Sequence, residues 1–178
     1  MIYIGIDPGV SGGYVFINNG NVVCHSFKTY EKVVEHFRML KTECVKDSVL
    51  PKCLIEKQWG RPRDKPKTIE KLCGSYYYYK AVMDTLGIRY EEIAPVTWQK
   101  KFGFDKELRL QKGRILVGNG ILPKPLSKSK VQTKIEKEKK LLFINRAKAL
   151  YPDLSFNITK WNAVGDALLL AHLTKHNL

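Results

Sequence analysis

The stretch IGIDPGVSGGYVFINNGNVVCHSF, residues 4–27, decides how the fold begins. Its first part is apolar and β-rich, and it stops at Asp7, where Pro8-Gly9 and Gly12-Gly13 signal a sharp turn. Beyond the turn, two more strands are joined by Asn18-Asn19-Gly20, a strong hairpin signal. Working outward, Val33, Val34, Phe37, Leu40 and Cys44 recur at helical spacing across residues 30–46. KCLIEKQ, residues 52–58, reads as a short buried strand that ends in Glu56. Residues 68–86 read as a helix, IRYEEIA (88–94) as a strand and PVTWQKKFG (95–103) as a short helical turn. Residues 133–150 form a charged helix, and KWNAVGDALLLAH (160–172) belongs to a last one, from about 160 to 174. The order β-β-β-α-β-α-β-α-α predicts an α/β fold: a mixed five-stranded sheet, antiparallel hairpin first, flanked by helices. A single domain over 1–178 is expected. Between 103 and 132 the pattern fades into glycines, prolines and lysines, and a stretch of that length without clear structure is usually functional or mobile.

Charge narrows the partners. The 178 residues carry a net charge of +14, which calls for a polyanion. Nucleic acid comes before membrane, because the sequence has no long apolar anchor. From Lys100 to Lys140 there are thirteen lysines and arginines against four acids, so nine of the fourteen net charges sit there. Within this region Lys106, Arg109, Lys112, Arg114, Lys124, Lys128 and Lys130 are candidate DNA contacts, whereas KIEKEKK (134–140) reads as a solvated helix face. Nothing in them reads bases, so phosphate contact and DNA shape are the expected mode of recognition. Cys24, Cys44, Cys53 and Cys73 are widely spaced and make neither a C-x-x-C pair nor a disulfide pattern, so buried free thiols are expected. The N-terminus reaches Asp7 too early for a secretion signal, and an intracellular, cytoplasmic place of action is expected.

Three acids stand at the boundaries of apolar elements. Asp7 ends the first strand, Glu56 ends another, and Asp166 lies near the start of the last helix. Each alone has a structural explanation, an ion pair or a backbone hydrogen bond. Together they converge if the two strands are neighbours and the helix crosses their ends. Carboxylates at that range need cations. Hard oxygen ligands suit Mg²⁺, with Mn²⁺ as a substitute, and two such ions can activate water and stabilise the leaving oxygen of a phosphodiester. Clusters of histidine and cysteine are missing, which argues against zinc.

IGIDPGVSGGYVF, LIEKQW and NAVGDALLLA, in that order, resemble the RuvC-type Holliday junction resolvases of the RNase H-like superfamily, especially the short versions found in phages and other viruses. APVTWQKKFG is similar to that family's Pro-x-x-Trp-Lys element, so the resemblance spans most of the chain. It implies an RNase H-like nuclease domain and a metal-dependent endonuclease that binds four-way junctions as a homodimer. It also implies that Asp7, Glu56 and Asp166 are metal ligands, with two ions per site and no small-molecule cofactor. A phage or viral version would act in the host cytoplasm. The family usually supplies a fourth acid, or a histidine, three or four residues before the last aspartate. Here those positions hold Ala163 and Asn162. Asn162 lies one helical turn before Asp166 and faces the same way, so it is a fourth candidate ligand without charge; a helix N-cap is the other reading.

Trp59 follows Glu56 by three residues, and in the resembled family an aromatic there acts as a wedge at the junction point. An ordinary core tryptophan is the alternative, although the surrounding WGRPRDKPK (59–67) is basic, proline-broken and loop-like. Arg61, Arg63, Lys65 and Lys67 would then grip phosphates beside the wedge. The run Tyr76–Tyr79 reads as structural, with Gly74 and Ser75 allowing close packing; Trp98, Trp161 and the four histidines also read as structural. Two other functions remain: a junction-binding protein whose cleavage is impaired at Asn162, and an actin-like kinase, whose phosphate turn DPGVSGG resembles. A kinase of that kind needs two domains and a second phosphate loop, for which 178 residues are too few.

Overall fold

The computed structural model describes residues 1–9, 11–60, 65–109 and 128–177, with the side chains of 128–131 and 158 outside that description. Three strands come first: β1 (Ile2–Asp7), β2 (Gly13–Asn18) and β3 (Asn21–Ser26). The helix α1 (Tyr30–Lys46) leads to β4 (Lys52–Glu56), and α2 (Pro66–Thr85) leads to β5 (Tyr90–Ile93). Then follow α3 (Pro95–Lys101), a helical segment at 104–109 (α4), α5 (Lys128–Leu150) and α6 (Ile158–His176). The sheet is mixed and five-stranded, as the sequence predicts, and its strand order is β3-β2-β1-β4-β5. β1, β2 and β3 pair antiparallel, whereas β1-β4 and β4-β5 are parallel. Asn19 and Gly20 both have positive φ in the β2-β3 turn, the conformation that favours Asn-Gly there.

Strand alternation sends the two sheet faces to different helices. Ile2, Ile4, Ile6, Tyr14, Phe16, Cys53 and Ile55 pack against α1 and α2, which contribute Val33, Phe37, Leu40, Tyr79 and Met83. The opposite face carries Val15, Ile17 and Leu54 and is covered by α3, α5 and α6, with Trp98, Phe143, Ile144, Trp161 and Leu168. The tyrosine run divides as a helix requires, with Tyr76 and Tyr79 buried and Tyr77 exposed. Cys24, Cys44 and Cys53 are buried free thiols; Cys73 is only half-buried, on the less enclosed side of α2.

Two glycines set how near α6 can come. A Cβ on Gly5 of β1 would lie 2.0 Å from the Ala167 carbonyl oxygen and 2.3 Å from the Ala171 nitrogen. A Cβ on Gly13 would lie 3.0 Å from the Ala163 oxygen. Helix backbone therefore rests on strand backbone. Gly74, expected to permit close packing, does not: a Cβ there meets nothing within 4 Å. No helix among the described residues is long and apolar enough to cross a membrane.

The two kinds of glycine predict opposite effects in chemical denaturation. Gly5→Ala should destabilise by about 3 kcal/mol or more, because the clash is with backbone that cannot move aside. Gly74→Ala, inside α2, should stabilise by roughly 0.5–1 kcal/mol through helix propensity.

Candidate functional site

β1 and β4 run side by side in the same direction, and their carboxyl ends lie together. The register that pairs Ile6 with Ile55 brings Asp7 and Glu56 to the next position. Both point to the α6 face, since Asp7 shares the parity of Gly5 and Glu56 that of Leu54. From these ends the chain diverges, β1 turning to β2 and β4 connecting to β5, which leaves the strand ends open between the two departures. Onto this opening α6 delivers Asp166. The sequence put Asp166 near the start of the helix; it is the ninth of nineteen residues, because α6 begins at Ile158.

Each acid has partners of its own. Gly9 N–H donates to Asp7 Oδ1 at 3.0 Å, and Gly12 N–H closes the turn on Gly9 O at 2.9 Å. A Cβ on Gly12 would come within 2.8 Å of the Asp7 carboxylate, so the turn fits tightly around it. Glu56, 7% exposed, receives Trp98 Nε1–H on Oε1 at 2.9 Å and Gln58 Nε2–H on Oε2 at 3.0 Å. Lys140 Nζ of α5 meets Asp166 Oδ2 at 3.1 Å, while Asp166 Oδ1 is buried without a hydrogen-bond partner among the described residues.

The acids also feel one another. Burial first, then the Asp166 charge, pushes Asp7 up to about 6; the Gly9 hydrogen bond and Lys140 oppose the rise, and Asp7 keeps some accessible surface that limits it. Burial, then the charges of Asp7 and Asp166, pushes Glu56 up to about 8, against the Trp98 hydrogen bond and Lys139. Such a cluster lacks positive charge in the centre. The hard oxygen donors, the mutual repulsion and the orphaned Asp166 Oδ1 fit a divalent cation. The fit is to carboxylates acting in pairs, because among the described residues no three Asp, Glu, His or Cys side chains gather around one point. Mg²⁺ is commonly held by one or two carboxylates, with waters and phosphate oxygens completing its shell.

Asn162 is not the helix cap. Asn157 is: its side chain accepts Lys160 N–H at 2.9 Å. Asn162 lies inside α6, exposed, one turn before Asp166. Trp59 is 48% exposed on a segment without regular structure, which excludes the core reading. Lys65 and Lys67 are exposed at the start of α2, and Lys106 and Arg109 are exposed on α4. Lys128 and Lys130 lie on α5, their side chains outside the described set. Arg61, Arg63, Lys112, Arg114 and Lys124 lie outside the described residues altogether.

Sequence reasoning missed Trp98, Gln58 and Lys140. Trp98, assigned to structure alone, is fully buried and holds Glu56; its place in the Pro-x-x-Trp element was the available signal. Lys140, assigned to a solvated face, heads the stripe Phe143-Ile144-Ala147 at spacings of three, four and seven, so its side chain starts from the buried side of α5.

No family model matches the chain, and no curated protein matches it either. Among solved structures, Thermus thermophilus RuvC in complex with a Holliday junction substrate is similar, at 13% identity and a TM-score of 0.44, covering 99% of this chain and 96% of that one. A second Thermus thermophilus RuvC structure has 15% identity and a TM-score of 0.40, covering 99% and 97%. Likeness at this level carries no residue role across.

The raised acids make a prediction about stability. In the ion-free protein, Asp7 and Glu56 hold protons more tightly folded than unfolded. Their contribution is complete below the ordinary carboxylate range and is lost as pH rises through about 6 and about 8. Thermal melts of Glu56→Gln against the parent should therefore favour the variant progressively from about pH 4.5 to pH 8, and Mg²⁺ should raise the parent more at the upper pH. The paired comparison cancels His25 and His172, whose lowered pKa values act in the opposite sense as pH falls.

Proposed function

We propose that this protein is a metal-dependent endonuclease that cuts branched DNA, with four-way junctions as its substrate and recombination or replication intermediates as the setting. The observation that carries the reading is the mutual charge repulsion of Asp7, Glu56 and Asp166, brought near one another from two neighbouring strand ends and a crossing helix, in a chain of net charge +14. The order of the sequence motifs supports an RNase H-like nuclease domain, and the kinship with short phage and viral resolvases rests on those motifs alone. Two incisions related by symmetry need two sites, so a homodimer belongs to the same proposal.

Asp7, Glu56 and Asp166 would hold Mg²⁺ or Mn²⁺, with Asn162 as a neutral fourth group. A bound divalent ion supplies the charge that activates water and stabilises the leaving oxygen. The chain's own residues keep that site in order. Trp98 and Gln58 together fix both oxygens of Glu56. Lys140 keeps Asp166 from standing as an unpaired charge, and its ammonium is positive charge already directed at the site. Trp59 has the exposure to stack on an unpaired base, and base–aromatic stacking is worth roughly 1–3 kcal/mol.

One observation favours a second reading, a junction-binding protein with impaired cleavage. With Asn157 as the cap, Asn162 has no capping role to explain it, and it stands one turn from Asp166 without a charge. Cleavage of a synthetic four-way junction in Mg²⁺ and in Mn²⁺ separates the readings. Asp7→Asn, Glu56→Gln and Asp166→Asn should each lower cutting at least about a hundredfold, on the scale of a lost transition-state contact, and leave junction affinity within a few-fold. Loss of binding along with cutting in all three would make the acids structural. The parent should cut at a rate comparable with Asn162→Asp; a parent that stays inert while that variant cuts would establish the impaired reading.

Trp59→Ala should weaken binding to the junction by roughly tenfold and affect plain duplex little, consistent with loss of one stacked base. Equal losses on both substrates would remove the wedge role.

A further inference from the structure

A cavity opens at the same end of the sheet as the acids, between β3, the start of α1 and the start of α6. We propose that it is a phosphate site, which holds a backbone phosphodiester of bound DNA at a distance from the acids. The proposal rests on the DNA-binding reading above and adds to it a place that none of the candidate basic residues occupies.

The cavity measures about 390 Å³ and is ringed by Lys28, Lys32 and Lys160, and no carboxylate lines it among the described residues. These cations are only partly satisfied. Lys32 reaches Glu35 at 2.6 Å, in an exposed pair, and the Lys160 ammonium lies 4.1 Å from the centre of the Phe156 ring. Lys28 has neither an ion pair nor a hydrogen bond among the described residues. Two imidazoles, His25 and His36, also line it, with ring centres 4.0 Å apart. His36 is fixed by Tyr14, whose hydroxyl lies 2.8 Å from Nδ1. His25 has no hydrogen-bond partner for either ring nitrogen among the described residues, yet it lines the cavity. Burial, and then His36, Lys160 and Lys28, push its pKa down to about 4, so at neutral pH it presents an uncharged ring with one N–H to donate. Ammonium groups and an imidazole N–H around one cavity are the donors that a phosphate oxygen takes.

The placement favours a phosphate within a DNA strand over a free one. Ser26, on the cavity wall, pairs with Gly13, and Gly13 pairs with Asp7, so the cavity and the acids share one end of the sheet two strands apart. Lys160 precedes Asp166 by six residues on α6, about 9 Å at the helical rise. At ~3.4 Å of duplex axis per nucleotide of one strand, a separation of that size along the axis corresponds to roughly three nucleotides. One strand can therefore reach both places.

Two measurements test this. The first is junction affinity across a salt series, without divalent ions so that nothing is cut, for the parent, Lys28→Ala/Lys160→Ala and Lys28→Glu. The double variant should lower the slope of log affinity against log salt by about 1–2, the value for one or two lost phosphate contacts. Lys28→Glu, at an exposed position that folding does not depend on, should move it in the same direction. An unchanged slope in both overturns the proposal. The second is a titration with inorganic phosphate, read by NMR at the rings of His25 and His36. Shifts in the parent that vanish in the double variant support the site, and no shift at either ring overturns it. If phosphate moves the rings but the parent binds no DNA, the nuclease reading fails separately, and the assignment to a DNA phosphate falls with it.

Discussion

The backbone of α6 lies against the backbone of β1 at Gly5, and much of the molecule depends on that contact. A side chain of any size at Gly5 would drive the helix outward, since even a Cβ would overlap the Ala167 carbonyl. The close approach lets a helical carboxylate descend to the level of two strand ends. Gly13, opposite Asp7 on β2, extends the same bare patch under Ala163 and Val164. The apolar character of α6 follows, because a helix in contact with a sheet along its length and with α5 on another side has little surface left for water. Val164, Ala167, Leu168, Leu169, Leu170 and Ala171 are all buried, and Asp166 is the one acid among them.

That geometry gathers negative charge where burial makes it costly, and the surroundings answer with several small compensations. Glu56 keeps an indole N–H and an amide N–H, Asp7 keeps a backbone N–H, and Asp166 keeps one lysine. None of these neutralises the set. The cavity beside it has the reverse problem, lysines and imidazoles with few counter-charges. Opposite imbalances at one end of a sheet match a ligand that is itself a string of anions bridged to cations, which is how a phosphate backbone meets a divalent metal.

The first five elements were readable because short apolar, β-rich runs broke at Pro8-Gly9, Gly12-Gly13 and Asn19-Gly20, and residues 30–46 kept helical spacing. The sequence left open whether β1 and β4 are neighbours; in the structure α1 is a single crossover that returns β4 to the side of β1, and that sets Asp7 beside Glu56. Phase was harder to read in the last helix. ALLLA is apolar all round, so the pattern did not show where the helix begins, and Asn162 was the cap candidate although Asn157 takes that place. In α5 the difficulty was the reverse. Lysine and glutamate crowd the sequence from 134 to 140, and the buried stripe that begins below Lys140 becomes visible only when the helix is packed against α6. Trp98 shows a third limit: burial of an indole could be guessed, but its N–H partner lies 42 residues away in sequence.

The three tryptophans are sorted by environment into three optical classes. Trp59 is half in solvent, Trp161 is sealed in the core, and Trp98 is sealed in the core with its N–H on a carboxylate. A soluble quencher such as iodide reaches the first and not the other two. The field of a carboxylate acting across 2.9 Å on the indole N–H ties the Trp98 emission to whether Glu56 is charged, protonated or engaged by a cation. The chain thus contains a light-emitting gauge of its own acidic cluster, read without any label, alongside a separate one at the surface for whatever stacks on Trp59.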